Sequence, residues 1–202
     1  MDHKAELLSV NTVYNGFFKT NSYLLRHSLY AGGMSQAITR ECFERFHAVG
    51  VLAFDPRRNK VVLIEQFRIG PWVNNDKGWI CEIIAGIIEK DEKPENVAIR
   101  EAEEEAGCKI LALEPIHKYY SSPGGSSETL QLYCGAVDSR NIEGLYGLAA
   151  EGEDIKAVVV DYEQAVDWLN KGKINNASSI ICMQWLILHH EELMQKWNKL
   201  IK

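Results

Sequence analysis

Apolar and polar positions in the first third of the chain follow patterns that predict strands. Residues 13–49 mix aromatic and β-branched residues with polar ones, and an Ala-Gly-Gly break at residues 31–33 divides them, as in a meander or a hairpin arm. Two apolar runs follow at residues 48–55 and 60–68. The turn between them opens with Asp55 and a proline, whose fixed φ favours reversal of the chain. We therefore expect a hairpin formed by these two runs.

The rest of the chain alternates strand-like and helix-like segments. A polar stretch at residues 70–78 predicts a loop, and the apolar stretch at 79–86 predicts a strand. A helix is predicted over residues 94–106, because proline is favoured in the first helical turn and Gly107 stands where a left-handed residue ends a helix. Further strands are predicted at residues 115–122, 128–138 and 154–161, and helices at 162–171 and 177–199.

Length, composition and charge limit the classes to which the chain can belong. Its 202 residues, 46% of them apolar, suffice for one large domain with a smaller extension. The sequence has no run of about 18 apolar residues and no signal-peptide pattern, so we expect no membrane segment and a cytoplasmic location. The five cysteines form no C-x-x-C pair, which favours reduced thiols. The net charge of −6 argues against a nucleic-acid partner.

The helix predicted over residues 94–106 carries a high density of negative charge. Within its sequence REAEEEAG, residues 100–107, Glu101, Glu104 and Glu105 share one face, because positions three and four apart are neighbours on a helix. They also lie in the last turn, where the helix dipole disfavours negative charge. Two interpretations are open at this point. The glutamates form either a solvated acidic face or a site for a divalent cation such as Mg²⁺, which prefers carboxylate oxygens.

The spacing around these glutamates favours the cation site. From residue 86 to residue 108 the sequence is G-x5-E-x7-R-E-A-x-E-E-x-G-C. This resembles the Nudix box, with every fixed polar and glycine position present and with small residues, Ala102 and Cys108, at the two apolar positions. The resemblance implies an α+β fold, an αβα sandwich with a mixed central β-sheet. Residues 47–202 would form the Nudix hydrolase domain, and residues 1–46 a small β-rich dimerisation arm.

The resemblance also implies roles for individual residues. The metal ligands would be Glu101, Glu105, Glu153 and the carbonyl of Ala85. Arg100 and Glu104 would assist catalysis beside them. The loop residue Glu151 would take the proton from the attacking water.

A second resemblance narrows the substrate. Pro123 follows Cys108 by fifteen residues, and the segments VVLIEQFRIG, LAAEGEDI and KINNASSIICMQWLILHH are similar to those of bacterial ADP-ribose pyrophosphatases. The similarity extends over residues 14–190. It implies a homodimer that hydrolyses ADP-ribose, a nucleotide sugar, to AMP and ribose 5-phosphate with Mg²⁺, for which Mn²⁺ substitutes. The substrate-binding residues implied are Phe17, Phe18, Arg40, Glu41, Arg45, Arg68, Ile87, Ser122, Pro123, Gly124 and Glu128.

Other interpretations of these residues remain open from the sequence. Arginines at strand ends also form surface salt bridges, paired aromatic residues are usually core, and Pro-Gly is a common turn. Two alternative functions also remain. One is hydrolysis of GDP-mannose or another nucleoside diphosphate sugar, and the other is a non-catalytic nucleotide sensor with the Nudix fold.

Overall fold

The computed structural model describes residues 2–148, 150 and 152–200 in two units. The arm unit comprises residues 2–47 together with Tyr120–Thr129, and the core unit comprises residues 48–119 and 130–200. The grouping of Tyr120–Thr129 with the N-terminal residues was not predicted from the sequence.

The arm unit is built on a three-stranded antiparallel sheet. Its strands are β1 (Ala5–Asn15), β2 (Lys19–His27) and β3 (Ile38–Glu44), in the order β1-β2-β3. Every residue of β1 is exposed. The loop Tyr120–Thr129 joins this unit through backbone hydrogen bonds to Phe43, whose N–H donates to Gly125 and whose carbonyl accepts from Ser127.

The core unit contains an eight-stranded mixed sheet. Six strands follow the order β10-β11-β5-β4-β9-β8, β6 pairs with β5, and β7 pairs with β4. The β4–β9 pair is parallel, and β4 and β5 form the antiparallel hairpin that the sequence predicted. The strands are β4 (Ala48–Asp55), β5 (Lys60–Phe67), β6 (Trp79–Glu82), β7 (Ile84–Ile87), β8 (Ala112–Tyr120), β9 (Thr129–Ala136), β10 (Gly144–Tyr146) and β11 (Ile155–Asp161).

Within the described residues, four helices accompany this sheet, and the longer ones cover its two faces. They are α1 (Ile69–Val73), α2 (Pro94–Ala106), α3 (Tyr162–Asn170) and α4 (Ala177–Trp197). On one face, Val51 of β4 packs in a buried cluster with Ala102 of α2. On the other face, Leu52 packs in a cluster with Met183 of α4. Because successive side chains of a strand alternate between faces, β4 contributes residues to both buried clusters. The predicted αβα sandwich is confirmed.

Helix α2 has the bounds that its sequence predicts. It begins at Pro94 and ends at Ala106, and Gly107 follows in the left-handed conformation with φ 61°. Buried apolar residues Val97, Ala98 and Ala102 fix one side of the helix against the sheet. The glutamates at 101, 104 and 105 are thereby held in place by packing rather than by helix propensity.

Two short elements and a subdivided strand were not predicted. Helix α1 begins one residue before the stretch expected to be a loop and occupies its first four residues, and its five residues are too few to show helical periodicity. Strand β10 has three residues. The segment expected as one strand at residues 79–86 is two strands, β6 and β7, that pair with different neighbours. Among the helices of the described residues, none is long and apolar enough to span a membrane.

Candidate active site

Arg100 links the glutamates of the box. Its Nε and Nη2 donate to the two oxygens of Glu92, at 3.2 and 3.1 Å. Its Nη1 donates to Glu101 Oε1 at 2.7 Å and to Glu104 Oε2 at 3.1 Å. The hydrogen bond from Arg100 lowers the pKa of the Glu92 carboxyl. One guanidinium therefore fixes three carboxylates, and its fork to Glu92 sets its own orientation.

Glu105 is the most deeply buried of these glutamates, with an exposed fraction of 3%. The backbone N–H of Ala85 donates to its Oε2 at 2.9 Å. Burial raises the pKa of Glu105 to about 8, although the hydrogen bond from Ala85 opposes the shift. Burial likewise raises the pKa of Glu101, against the opposing charge of Arg100. Burial therefore opposes ionisation of these two carboxylates more strongly than their hydrogen bonds and the nearby arginines favour it.

Strand β7 passes very close to this helix face. A Cβ atom placed on Gly86 would lie 1.8 Å from Glu101 Oε1 and 2.0 Å from its Cδ. Only glycine leaves room for the carboxylate at that position. The first glycine of the box is thus required by the side chain of its first metal-ligand candidate.

Glu153, in the loop between β10 and β11, adds a carboxylate from outside the box. Leu148 N–H donates to Glu153 Oε2 at 3.1 Å, and the negative charge of Glu153 contributes to the raised pKa of both Glu101 and Glu105. Gly147 has φ 97°, and a Cβ there would lie 2.8 Å from Cβ of Glu153. Its N–H also donates to the carbonyl of Glu104 at 3.3 Å. The loop is therefore attached to the end of α2.

Arg68 brings a positive charge to the same group. It follows the last residue of β5, and its Nε donates to Glu82 Oε2 on β6 at 2.7 Å. Its charge lowers the pKa of Glu105, against the effect of burial. Arg68 is therefore within electrostatic reach of the box.

The chemistry of these side chains fits a hard divalent cation. Carboxylate oxygens are the ligands that Mg²⁺ and Mn²⁺ prefer, and at this site the carboxylates outnumber the two guanidinium groups, Arg100 and Arg68. Across residues 2–148, 150 and 152–200, however, no three acidic, histidine or cysteine side chains are already arranged as a metal-binding group. The hydrogen bonds explain this, because Glu101 faces Arg100 and Glu105 faces the Ala85 N–H.

The arm unit has a cavity of about 600 Å³. Four of the predicted substrate-binding residues line it, namely Arg40, Glu41, Pro123 and Gly124. Tyr23 and Glu44, which the sequence did not single out, also line it. The Tyr23 hydroxyl donates to Glu44 and lowers the pKa of that carboxyl. The cavity therefore combines a guanidinium, two carboxylates and the hydroxyls of Tyr23 and Ser127.

Other predicted residues of the arm unit bind one another. Arg45 Nε pairs with Glu128 at 3.1 Å, and its guanidinium lies 4.8 Å from the ring centroid of Phe18. Phe17, in contrast, is 77% exposed. The carbonyl of Ser122 accepts N–H groups of the loop that contains Pro123. Arg45, Glu128 and Phe18 thus shape the arm, whereas the ring of Phe17 is available for contact.

Comparison with known proteins identifies the family. The model of the NUDIX domain matches residues 36–181. The chain belongs to the Nudix family. It is 46% identical to the ADP-ribose pyrophosphatase of Escherichia coli (strain K12) over 192 residues, 95% of this chain and 92% of that protein. It is 44% identical to the ADP-ribose pyrophosphatase of Haemophilus influenzae, with 96% and 91% covered.

Two more distant matches extend the comparison. The GDP-mannose pyrophosphatase of Cronobacter sakazakii is 32% identical, with 90% of this chain and 96% of that protein covered. A crystal structure of an ADP compounds hydrolase aligns with a TM-score of 0.69 at 20% identity and covers 96% of this chain and 97% of that one. The structural likeness shows a shared fold, and the match of the NUDIX domain to residues 36–181 identifies that fold as the Nudix fold.

Not every residue predicted from the Nudix resemblance can be placed. Glu151, the predicted base, lies outside the described residues. Ala85 contributes its N–H to Glu105, and coordination of a metal by its carbonyl stays a prediction. Ile87 ends β7 and is 44% exposed. Glu82 was missed, because only the pairing of β5 with β6 brings it to Arg68.

Proposed function

We propose that this Nudix hydrolase cleaves the pyrophosphate bond of ADP-ribose to give AMP and ribose 5-phosphate. The names of the relatives at 44% and 46% identity support this substrate, since the similarity covers more than nine tenths of each chain. The observation that carries the proposal is the intact glutamate group around Arg100, with the buried Glu105 beside it. Loss of these glutamates would favour a protein that only binds a nucleotide, and all of them are present in the sequence.

The residues that would hold a divalent cation, Mg²⁺ or Mn²⁺, are Glu101 and Glu105, with Glu153 and the Ala85 carbonyl as further ligands. When bound, the cation neutralises phosphate charge and polarises the phosphoryl group towards water. Glu104 lies at the edge of this group, where Arg100 restrains it.

The other side chains bind substrate and move a proton. The guanidinium of Arg68 binds a phosphate oxygen of the substrate. Arg100 keeps Glu101 and Glu104 in position through its hydrogen bonds and does not itself contact substrate. Glu151 accepts the proton of the attacking water, in the role that the family resemblance implies. The exposed ring of Phe17 stacks on the adenine of the substrate.

We also propose that the protein is a homodimer and acts in the cytoplasm. The support for a dimer is the exposure of apolar side chains on the arm, where Leu7, Val13 and Tyr14 are each more than half exposed. The support for the cytoplasm is that all five cysteines are free thiols, four of them buried.

The decisive experiment is product analysis by chromatography and mass spectrometry. ADP-ribose, GDP-mannose and a dinucleotide are each incubated with the protein and Mg²⁺, or with chelator, in ¹⁸O-labelled water. We expect release of AMP and ribose 5-phosphate only with the cation, with the highest kcat/KM on ADP-ribose. The label identifies the phosphorus attacked by water.

Each alternative function corresponds to a different outcome of this experiment. A higher kcat/KM on GDP-mannose would assign the activity named for the relative at 32% identity. Tight binding of ADP-ribose without turnover would indicate a nucleotide sensor and overturn the proposed hydrolysis. A Glu105→Gln variant serves as the control for catalysis by a contaminating enzyme.

A further inference from the structure

Alternate residues of β5 belong to opposite faces of the core sheet. Val62 and Ile64 lie in the buried cluster on the α2 side, whereas Val61 and Leu63 lie in the cluster on the α4 side. Glu82 on β6 is the register partner of Ile64. Directly paired residues of antiparallel strands point to the same face, so Glu82 lies on the α2 side. This is the face that carries the glutamates of the box.

Arg68 continues the same alternation beyond the end of β5. Its backbone is extended, with φ −126° and ψ 128°, so its side chain lies on the same face as that of Ile64. The backbone N–H of Arg68 donates to the carbonyl of Gly78 at 2.8 Å, which closes the loop at residues 68–78. Main chain and side chain of Arg68 are thus both anchored, the first by Gly78 and the second by Glu82.

The contact with Glu82 leaves most of the guanidinium available. It uses Nε alone, at 2.7 Å, and the two terminal nitrogens have no hydrogen-bond partner within the part of the chain that the structure describes. The Arg68 side chain is 43% exposed, whereas the Glu82 side chain is 13% exposed. Glu82 is therefore the more buried and more restricted side chain of the pair, and the arginine presents its two terminal nitrogens outwards.

We propose that Glu82 is a positioning residue of the active site, which holds Arg68 through Nε so that both terminal nitrogens bind one phosphate of a nucleoside diphosphate. This inference rests on the proposed function, because it assigns the residue that orders the substrate's phosphate contact. Two parallel N–H groups bind a phosphate well only when the plane of the guanidinium is set. Glu82 sets that plane and does not touch the substrate.

The ion pair of Arg68 with Glu82 also balances charge on this face of the sheet. Glu82 is a carboxylate on the face that receives an anionic substrate, and Arg68 neutralises it. Without Arg68, the same carboxylate would repel the phosphates. Removal of Glu82 should therefore weaken binding only when Arg68 is present.

The experiment measures binding and turnover separately. Dissociation constants for ADP-ribose are measured by isothermal titration calorimetry in chelator, and KM and kcat are measured with Mg²⁺. Glu82→Ala is expected to raise Kd and KM about tenfold, the effect of losing one hydrogen bond to a charged group. We expect kcat to change by less than about twofold, since uniform binding is what is lost. Glu82→Gln keeps an acceptor for Nε and should recover much of the affinity.

Two further variants separate positioning from a merely structural effect. In an Arg68→Ala background, Glu82→Ala should cause no additional loss of affinity. Glu65→Ala removes a half-buried carboxylate of β5 that pairs with Cys81 and so lies on the opposite face. It should leave Kd unchanged. Thermal unfolding by circular dichroism reports whether each variant is folded.

The outcomes distinguish this inference from the proposed function. Unchanged Kd and KM in Glu82→Ala, or an equal loss in the Arg68→Ala background, would overturn the positioning role while hydrolysis stands. Binding of ADP-ribose that depends on Glu82 and Arg68, without any turnover, would overturn hydrolysis and support the positioning role. If Glu82→Ala is unfolded, Glu82→Leu, which keeps the bulk of the side chain but offers Nε no acceptor, replaces it and is compared with Glu65→Leu: a raised Kd in Glu82→Leu alone supports the positioning role, and equal Kd values overturn it.

Discussion

Gly86 and Glu101 lie in such close contact that a Cβ atom at position 86 would be 1.8 Å from the carboxylate oxygen Oε1. The contact joins strand β7 to helix α2 across the candidate active site. Any side chain at position 86 must displace the Glu101 carboxylate, because the strand is fixed by its pairing with β4. The position of the Glu101 carboxylate therefore depends on the absence of a Cβ atom at residue 86.

A Gly86→Ala variant should retain the fold and lose most of its activity. Displacement of a catalytic group by about 1 Å costs on the order of a hundredfold in rate, so we expect kcat for ADP-ribose to fall by about that factor. Steady-state kinetics with saturating Mg²⁺ would measure it. Gly70→Ala is the matched control, since nothing lies within 4 Å of a Cβ at that position. Full activity of Gly86→Ala would show that Glu101 can move without consequence.

Arg100 is expected to tolerate replacement by lysine poorly. Lysine keeps the positive charge but cannot form the fork to Glu92 while it also binds Glu101 and Glu104. Loss of a residue that orients metal ligands typically costs about 10- to 100-fold in activity. We expect Arg100→Lys to lower kcat in that range and to raise the Mg²⁺ concentration needed for half activity.

The control for this variant is another arginine in an ion pair. Arg26 pairs with Glu6 at 3.1 Å in the arm unit, and both side chains are more than 40% exposed. Such exposed pairs contribute little, so Arg26→Lys should leave kcat unchanged. Equal losses in both variants would mean that the effect of Arg100→Lys is not specific to the glutamates.

The buried carboxyl of Glu105 should make stability depend on pH. Burial raises its pKa to about 8 in the folded protein, whereas an unfolded glutamate titrates near about 4.3. Between these values the folded state holds a proton that the unfolded state has released, so stability falls as pH rises through this window. Above about pH 8 Glu105 is ionised in both the folded and the unfolded state, and the loss of folding stability, roughly 2 to 5 kcal/mol, is complete.

Chemical denaturation at a series of pH values, in chelator, tests whether burial of Glu105 causes this pH dependence. Glu105→Gln should be more stable than the unaltered protein at pH 8, and the difference should shrink towards pH 5. Glu103→Gln removes an exposed glutamate of the same helix and serves as the control. The same pH trend in Glu103→Gln would rule out burial of Glu105 as its origin.

The predictions from sequence succeeded where the signal is local. Pro94 and Gly107 mark the two ends of α2 by their conformational preferences. The spacing of the glutamates between them can be recognised in the sequence without the tertiary structure. The box could therefore be assigned before any tertiary contact was known. The hairpin of β4 and β5 follows from a local signal of the same kind, the turn that opens with Asp55.

The contacts that the sequence did not predict join residues that lie far apart along the chain. Glu82 meets Arg68 only through the register of β5 with β6. The loop Tyr120–Thr129 joins the arm unit through hydrogen bonds to Phe43, far away in sequence. Neither contact leaves a periodic pattern in the chain. The ion pair of Arg45 with Glu128 is of the same kind, and substrate binding by these two residues stays a prediction.

The exposed strand β1 gives a test of the proposed homodimer. Its eleven residues are all exposed, and among the strands of the described residues it pairs only with β2, so it presents apolar side chains and an open edge. Replacement of Leu7 and Val13, 58% and 57% exposed, by glutamate should place charge within the interface between copies. We expect light scattering to show a fall from twice the chain mass to the 22.9 kDa of one chain. Leu188→Glu, at an 80% exposed position of α4, should leave the mass unchanged, and a dimer that survives the Leu7 and Val13 substitutions would place the interface elsewhere.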